Sequence, residues 1–328
     1  MQGRVLSGMR PTGRLHFGHY HGVLANWLKL QEEYECFFFI ADWHALTTDY
    51  AAPQSIAENS RQMVLDWLSI GIDPARSTIF RQSSIPAHAE LFVLLSMITP
   101  LPWLERNPTY KEQMQEIRDK DLHTFGFLGY PVLQTADIIV YKANKVPVGI
   151  DQAPHLELSR EITRRFNNFY GPVFPEPETI LTASPKVLGT DGRKMSKSYN
   201  NSIFLSDPPE AVEQKMLTMM TDTARKRRTD AGNPDVCPLF ITFHTLYSDG
   251  KTIEWVREGC AKAAIGCMEC KRSVIPKVLD FLRPIQERRR ELEKDPSLVS
   301  SILEAGSKKA SLVASETMAH VRSAMGLS

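Results

Sequence analysis

Cysteine is scarce, with five residues in 328. That is too few for a disulfide scaffold. Four of the five nevertheless fall between Cys237 and Cys270. Charge of one sign is equally lacking. Lys plus Arg number 39 and Asp plus Glu 38, a formal net charge of +1, so no global basic field points to nucleic acid. Long apolar runs are missing too. The longest, Leu91 to Ile98, is broken by Ser96, falls short of the ~18 residues of a membrane span and reads as a buried helix. The opening Met1-Gln2-Gly3-Arg4-Val5-Leu6-Ser7-Gly8 has no signal-type apolar core, so a cytoplasmic location away from membranes is expected. In that reducing setting, clustered cysteines point to metal or catalysis before disulfides. Two phosphate motifs are also absent. No G-x-G-x-x-G follows a strand, and Asp249-Gly250-Lys251-Thr252 lacks the earlier glycine of a P-loop and reads as a turn between helices.

What is present is a globular pattern, 42% hydrophobic and 23% charged. Short apolar runs at Arg4–Ser7, Cys36–Ala41, Ser77–Phe80 and Val146–Gly149 alternate with helical patterns at Gly18–Glu33, Pro53–Gly71 and Asp151–Phe166. The unbroken Cys36-Phe37-Phe38-Phe39-Ile40-Ala41 run suits a strand buried on both faces of a parallel sheet, with Cys36 a core residue. Such alternation predicts an α/β fold, a Rossmann-like doubly wound parallel sheet, over residues 1–204. Beyond residue 205 strand signals stop. Helical patterns at Glu210–Met220, Lys251–Ala264, Ser273–Leu292 and Pro296–Met325 predict an all-helical C-terminal domain, 205–328. Ligands of a doubly wound sheet bind at the carboxyl ends of its strands, here just after Ser7, Ala41 and Gly149.

The first of these places is a turn-rich loop, Gly8-Met9-Arg10-Pro11-Thr12-Gly13, followed by His16-Phe17-Gly18-His19 at a helix start. Two imidazole donors, a side-chain-free Gly18 and a helix N-terminus suit a triphosphate. Alone, this pattern also fits two satisfied surface histidines. A second piece is the polar loop Gly189–Ser198, ending Lys194-Met195-Ser196-Lys197-Ser198. Two ammonium groups and two hydroxyls suit a departing polyphosphate, although such a string also fits a solvated loop.

In this order, the two pieces resemble the HIGH and KMSKS motifs of class I aminoacyl-tRNA synthetases, the second letter for letter. Tyr130-Pro131-Val132-Leu133-Gln134-Thr135-Ala136-Asp137-Ile138-Ile139 and Val146-Pro147-Val148-Gly149-Ile150-Asp151-Gln152-Ala153-Pro154-His155-Leu156-Glu157-Leu158-Ser159-Arg160 are similar to signature segments of the bacterial-type tryptophanyl-tRNA synthetase family. Ile150 stands where that family usually has Glu. The resemblance runs from Val5 through Leu327 and includes Arg283-Pro284-Ile285-Gln286-Glu287-Arg288. It implies activation of L-tryptophan with ATP and transfer to tRNA(Trp). His16, His19, Lys194 and Lys197 are then catalytic. Arg10, Pro11, Thr12, Gly18, Gly149, Ile150, Asp151, Val187, Met195, Ser196 and Ser198 join them around ATP. Asp137, Tyr130, Gln134, Gln152 and His44 hold tryptophan. Mg²⁺ is expected on the phosphates, since no carboxylate cage is visible. A homodimer is implied as well, through the Pro86–Tyr110 region.

Chemistry agrees with Asp137 as the indole receptor. An indole N–H only donates, so its partner must accept, and a ring without that donor leaves a buried acceptor empty, for discrimination on the order of 10⁴-fold. The other reading of Asp137 is a helix N-cap, and of His44 a packed histidine beside Trp43. Three alternatives stay open. A tyrosyl enzyme would need a phenol receptor. Another nucleotidyltransferase would not need basic helices. An iron–sulfur regulator would not need an intact Lys194–Ser198.

Cys237, Cys260, Cys267 and Cys270 are spaced C-x22-C-x6-C-x2-C. Four thiolates suffice for zinc or a cubane cluster, and the uneven spacing leans toward iron–sulfur. Four unconnected cysteines is the plainer reading. The spacing and the preceding Gly232-Asn233-Pro234 are similar to the subgroup of the family that carries a [4Fe-4S] cluster, with Zn²⁺ the alternative. Basic runs at Arg225–Arg228, Lys271–Arg272 and Arg288–Arg290 flank the cysteines and are expected to face RNA.

Overall fold

The computed structural model describes residues 3–116, 121–149, 153–181 and 185–327. Strands β1 (Arg4–Met9), β2 (Glu35–Ile40), β3 (Ser77–Arg81), β4 (Lys145–Val148) and β5 (Glu178–Leu181) pair in parallel, in the order β3-β2-β1-β4-β5. The order reverses at β1, so the ligand crevice opens between the carboxyl ends of β1 and β4.

Strand β2 shows why the sheet is buried on both sides. Its side chains alternate between faces. Cys36, Phe38 and Ile40 join one hydrophobic core, while Phe37 and Phe39 join the other. Phe38 stacks on Trp27 at 4.1 Å, and Phe37 lies 5.0 Å from the ring of Tyr141 on the opposite face. Cys36 is fully buried, the core residue expected.

Several elements differ from expectation. The first helical stretch is not one regular helix. It begins as Phe17–His19, passes through a π-helical turn at Tyr20–Leu24 and continues as Ala25–Glu33. The helix around Leu91 (Ala87–Ser96) is buried on one face only. Leu91 and Leu95 are inside, while Val93 and Met97 are 48% and 71% exposed. Strand β5 and the long Phe125–Val140 helix carry no clear sequence signal. Asp137 lies inside that helix and is not an N-cap. Asp249 caps a helix, accepting from Thr252 N–H at 2.8 Å, so the P-loop-like string is a helix cap and first turn, with only Ser248 and Asp249 between the helices.

The C-terminal helices include Pro209–Thr218, Gly250–Ala261, Cys267–Leu292 and Leu298–Ala324. Residues beyond 204 join both hydrophobic cores, so the packing is continuous with the sheet. Among the described residues, no helix is long and apolar enough to cross a membrane.

Candidate active site

A cavity of about 400 Å³ opens at the carboxyl ends of β1 and β4. Its walls include Arg10, His44, Tyr130, Gln134, Asp137 and Gly149, all singled out by the sequence. Asp137 is 1% exposed. Its Oδ2 accepts from His44 Nε2 at 2.7 Å, and its Oδ1 from His88 Nδ1 at 2.6 Å and Gln82 Nε2 at 2.8 Å. Burial pushes the carboxyl upward, but hydrogen bonds from His44 and His88 outweigh it and hold Asp137 below its usual range. His44 is therefore part of the site, not a packed neighbour of Trp43. On another wall, the Tyr130 hydroxyl is 2.8 Å from His155 Nε2. Arg10 reaches Thr48 Oγ1 and lies 3.5 Å from Asp49, and burial depresses its guanidinium.

His16, His19, Lys194 and Lys197 lie outside the cavity walls, and His16, His19 and Lys197 form a second group beside the first loop. His16 Nδ1 accepts from Gly18 N–H at 3.1 Å, and His19 Nδ1 accepts from His16 N–H at 3.2 Å. Burial, then the nearby Lys197 charge, pulls His16 down to about 4, and burial pulls His19 well below its ordinary value. Both rings are therefore neutral near pH 7. With Nδ1 accepting, each carries its proton on Nε2, a donor left for a ligand. The expectation of free N–H groups at this helix start does not hold. Phe17 N–H donates to Ile203 O, Gly18 N–H to His16 Nδ1 and His19 N–H to His16 O. A Cβ on Gly18 would come within 2.8 Å of the His16 ring, so a larger residue there would displace this imidazole.

The two motifs touch. Lys197 Nζ donates to Thr12 O at 2.8 Å and is 3.1 Å from Thr12 Oγ1. Met195 is buried and its N–H donates to Val187 O, which places Val187 behind the loop, while Lys194 and Ser198 are exposed. Pro11 is buried beneath Thr12. Buried Asn201 organises the loop, with Oδ1 accepting from Ser196 N–H at 2.8 Å and Nδ2 donating to Asp191 Oδ1 at 2.7 Å. Ile150, Asp151 and Gln152 lie outside the described residues. Sequence reasoning missed His88, Gln82, Asn201 and His155. Gln82 and His88 follow the carboxyl end of β3, so the strand-end rule applied to β3 would have found them.

Comparison with known proteins settles the family. The family model for class I tRNA synthetases of tryptophan and tyrosine matches residues 2–283. The tryptophan–tRNA ligase of Thermotoga maritima is 53% identical over 99% of both chains, and that of Ralstonia nicotianae 46% identical over 99% of this chain and 98% of its own. The chain belongs to the bacterial tryptophanyl-tRNA synthetases. A solved structure of the Campylobacter jejuni enzyme, complexed with ADP and tryptophan, superposes with a TM-score of 0.88 at 32% identity, covering 99% of this chain and all of that one. The synthetase is thus a tryptophan–tRNA ligase, and the tyrosyl, metabolite-transferase and regulator alternatives fall away.

The synthetase's four clustered cysteines all lie in the helical region, with Cys237 and Cys270 buried. Burial first, then the Cys237, Cys260 and Cys267 charges, pushes the Cys270 thiol up to about 12. Arg225 Nη1 approaches Cys260 Sγ at 3.7 Å, and Cys270 Sγ lies 3.2 Å from buried His244 Nε2. Gly232 N–H donates to Cys260 O, joining the Gly232–Pro234 turn to the group. The donor set suits a metal that takes thiolates. Among the described residues, however, no group of three or more His, Cys, Asp or Glu side chains is placed to hold a metal ion.

Proposed function

We propose that this synthetase binds L-tryptophan in the β1–β4 cavity, with its indole N–H on Asp137 and its ammonium and carboxylate ends toward Tyr130 and Gln152. Gln134 and His44 line the same pocket. ATP occupies the ground between this cavity and the paired motif loops. The tryptophan carboxylate attacks the α-phosphorus, an α-phosphorus–oxygen bond breaks, and pyrophosphate leaves with the electron pair. A terminal ribose hydroxyl of tRNA(Trp) then attacks the adenylate carbonyl and AMP leaves. The carboxylate is already a nucleophile, so the protein's part is positioning and charge stabilisation. His16 and His19 offer Nε2–H donors to phosphate, and Lys194 and Lys197 stabilise the departing pyrophosphate. Arg10, Pro11, Thr12, Gly18, Val187, Met195, Ser196 and Ser198 shape the phosphate side, and Gly149, Ile150 and Asp151 the ribose side. Mg²⁺ neutralises phosphate charge when bound. The one carboxylate of this set that lines the cavity, Asp137, is already clamped, so phosphates and water are its natural ligands.

The observation that carries this reading is a buried carboxylate at a cavity wall, in a chain of this family. Pyrophosphate exchange into ATP should depend on tryptophan and not on tyrosine. Lys197→Ala should slow single-turnover adenylate formation by about 10²-fold or more while tryptophan binding changes little. Unchanged single-turnover rates would remove Lys197 from the mechanism.

We further read residues 1–204 as the catalytic part and 205–328 as the part that reads the anticodon, with the enzyme acting in the cytoplasm. The four cysteines are read as ligands of a [4Fe-4S] cluster, or of Zn²⁺, that orders this surface without entering catalysis. The C-x22-C-x6-C-x2-C spacing supports that reading, and iron and zinc analysis of protein purified without oxygen decides between the metals, or finds neither and removes it. A homodimer through the Pro86–Tyr110 face is supported by the exposed Val93, Met97 and Leu101, with Phe125 nearby in the fold.

A further inference from the structure

Asp137 is held by more donors than one substrate contact requires. A carboxylate has about four lone-pair positions and turns freely unless they are occupied. Here Oδ1 accepts two bonds, from His88 Nδ1 and Gln82 Nε2, and Oδ2 accepts one among the described residues, from His44. The direction of each bond is fixed by its other end. Gln82 Oε1 accepts from Trp43 N–H at 3.1 Å, so its amide nitrogen must face Asp137. His88 Nε2 lies 2.7 Å from the Tyr141 hydroxyl. Tyr141 is fully buried, and burial followed by the Asp137 charge keeps its hydroxyl protonated. The ionised carboxylate can only accept, so His88 presents Nδ1–H to it, and in the neutral ring Nε2 then accepts from the Tyr141 hydroxyl. His44 lines the cavity, whereas His88 and Gln82 do not. The cavity-side oxygen is therefore Oδ2.

We infer that His88 and Gln82 are positioning residues: they fill Oδ1 and lock the carboxylate plane, so that Oδ2 presents a single acceptor to the amino acid's ring N–H. This rests on the reading of Asp137 as the indole receptor. Specificity then comes from a chain three side chains deep, Tyr141 to His88 to Asp137, and not from the aspartate alone. Without His88, Oδ1 becomes a buried acceptor with a single donor. The carboxylate can then turn toward the cavity and offer a second acceptor, and the distinction between rings with and without N–H weakens.

The test compares tryptophan with its benzothienyl analogue, which has sulfur in place of the ring N–H. The measure is the ratio of kcat/KM in pyrophosphate exchange. His88→Leu should lower the ratio about tenfold and raise KM for tryptophan, with KM for ATP unchanged. His88→Asn, whose amide N–H replaces Nδ1–H, should restore most of the ratio. Tyr141→Phe, a small change that keeps packing, should shift it the same way by a lesser amount. An unchanged ratio in His88→Leu overturns the inference, as does His88→Asn falling as far as His88→Leu. If His88→Leu does not fold, the Tyr141→Phe and His88→Asn pair decides, and no shift in Tyr141→Phe counts against it. Asp137→Ala, which leaves no acceptor at that wall, separates the two levels. A ratio that survives Asp137→Ala defeats the indole assignment itself, whereas one that collapses there but not in the His88 variants defeats only the present inference.

Discussion

Lys197 is half-buried, and its ammonium rests on the Thr12 carbonyl. Burial draws its pKa down to about 8, against the pull of Asp66 and with a small push from Arg14. The sign follows directly. The side chain is charged below about 8 and neutral above it, while His16, at about 4, is already neutral near pH 7 and stays so above it. For the free enzyme, kcat/KM for ATP should therefore be flat near neutrality and fall about tenfold per pH unit above that pKa. Lys197→Arg stays charged and should lose this alkaline limb, even if its overall rate is lower. A limb that persists unchanged in Lys197→Arg would assign it to another group. At this scale the sequence points directly to the candidate groups of the site, whereas those behind them are marked only by their place after β3. Asp137, Tyr130 and Lys197 stand out because their chemistry is visible in a short string. His88 and Gln82 act on Asp137 from 49 and 55 residues away, and no local spacing encodes that.

The elements that failed to show in the sequence share a physical reason. The Phe125–Val140 helix contains Gly126, Gly129 and Pro131, which read as breakers, yet Thr124 caps it and almost every residue from Phe127 onward is buried. Tertiary burial there overrides propensity. Strand β5 is four residues at an edge with exposed ends, too short for periodicity to speak. By contrast, β2 was plain because a doubly buried strand must be apolar at every position. The Leu298–Ala324 helix offers a test of how tightly these elements fit. It covers edge strand β3, and a Cβ at Gly306 would overlap the Ile79 carbonyl oxygen. Helix propensity alone favours Gly306→Ala by about 1 kcal/mol. Overpacking against a backbone that cannot rotate away costs about 1–3 kcal/mol. Packing should win, and Gly306→Ala should lower the urea midpoint of unfolding. A raised midpoint would mean that the helix shifts off β3 without loss.

The near-zero net charge of the whole molecule conceals two uses of its basic residues. Lys226, Arg227, Arg228, Arg272, Arg288 and Arg290 are exposed, as a surface for RNA requires. Two members of the same runs point inward, against expectation. Lys271 Nζ is buried on the Leu217 and Met219 carbonyls at 2.6 Å each, and Arg289 pairs with buried Asp66. The other oxygen of Asp66 accepts from Leu15 N–H at 2.9 Å, one residue before His16. Three residues earlier on the same helix, Gln286 donates to Leu205 O and Asp207 O, just past the lysine loop. The Cys267–Leu292 helix thus carries two of the clustered cysteines in its first turn and, near its last, anchors Leu15 through Asp66 and holds Leu205 and Asp207. Removing one partner of such a buried pair leaves an uncompensated charge and costs about 3–5 kcal/mol. Arg289→Leu should lose that much stability in denaturant titration, and the Leu15–His16 segment should lose its anchor, raising KM for ATP more than KM for tryptophan. Adding Asp66→Asn to Arg289→Leu removes the stranded charge while an amide oxygen can still accept from Leu15 N–H. The double variant should recover a large part of both losses. Losses that simply add would show that the pair does not couple the helical region to the Leu15–His16 segment.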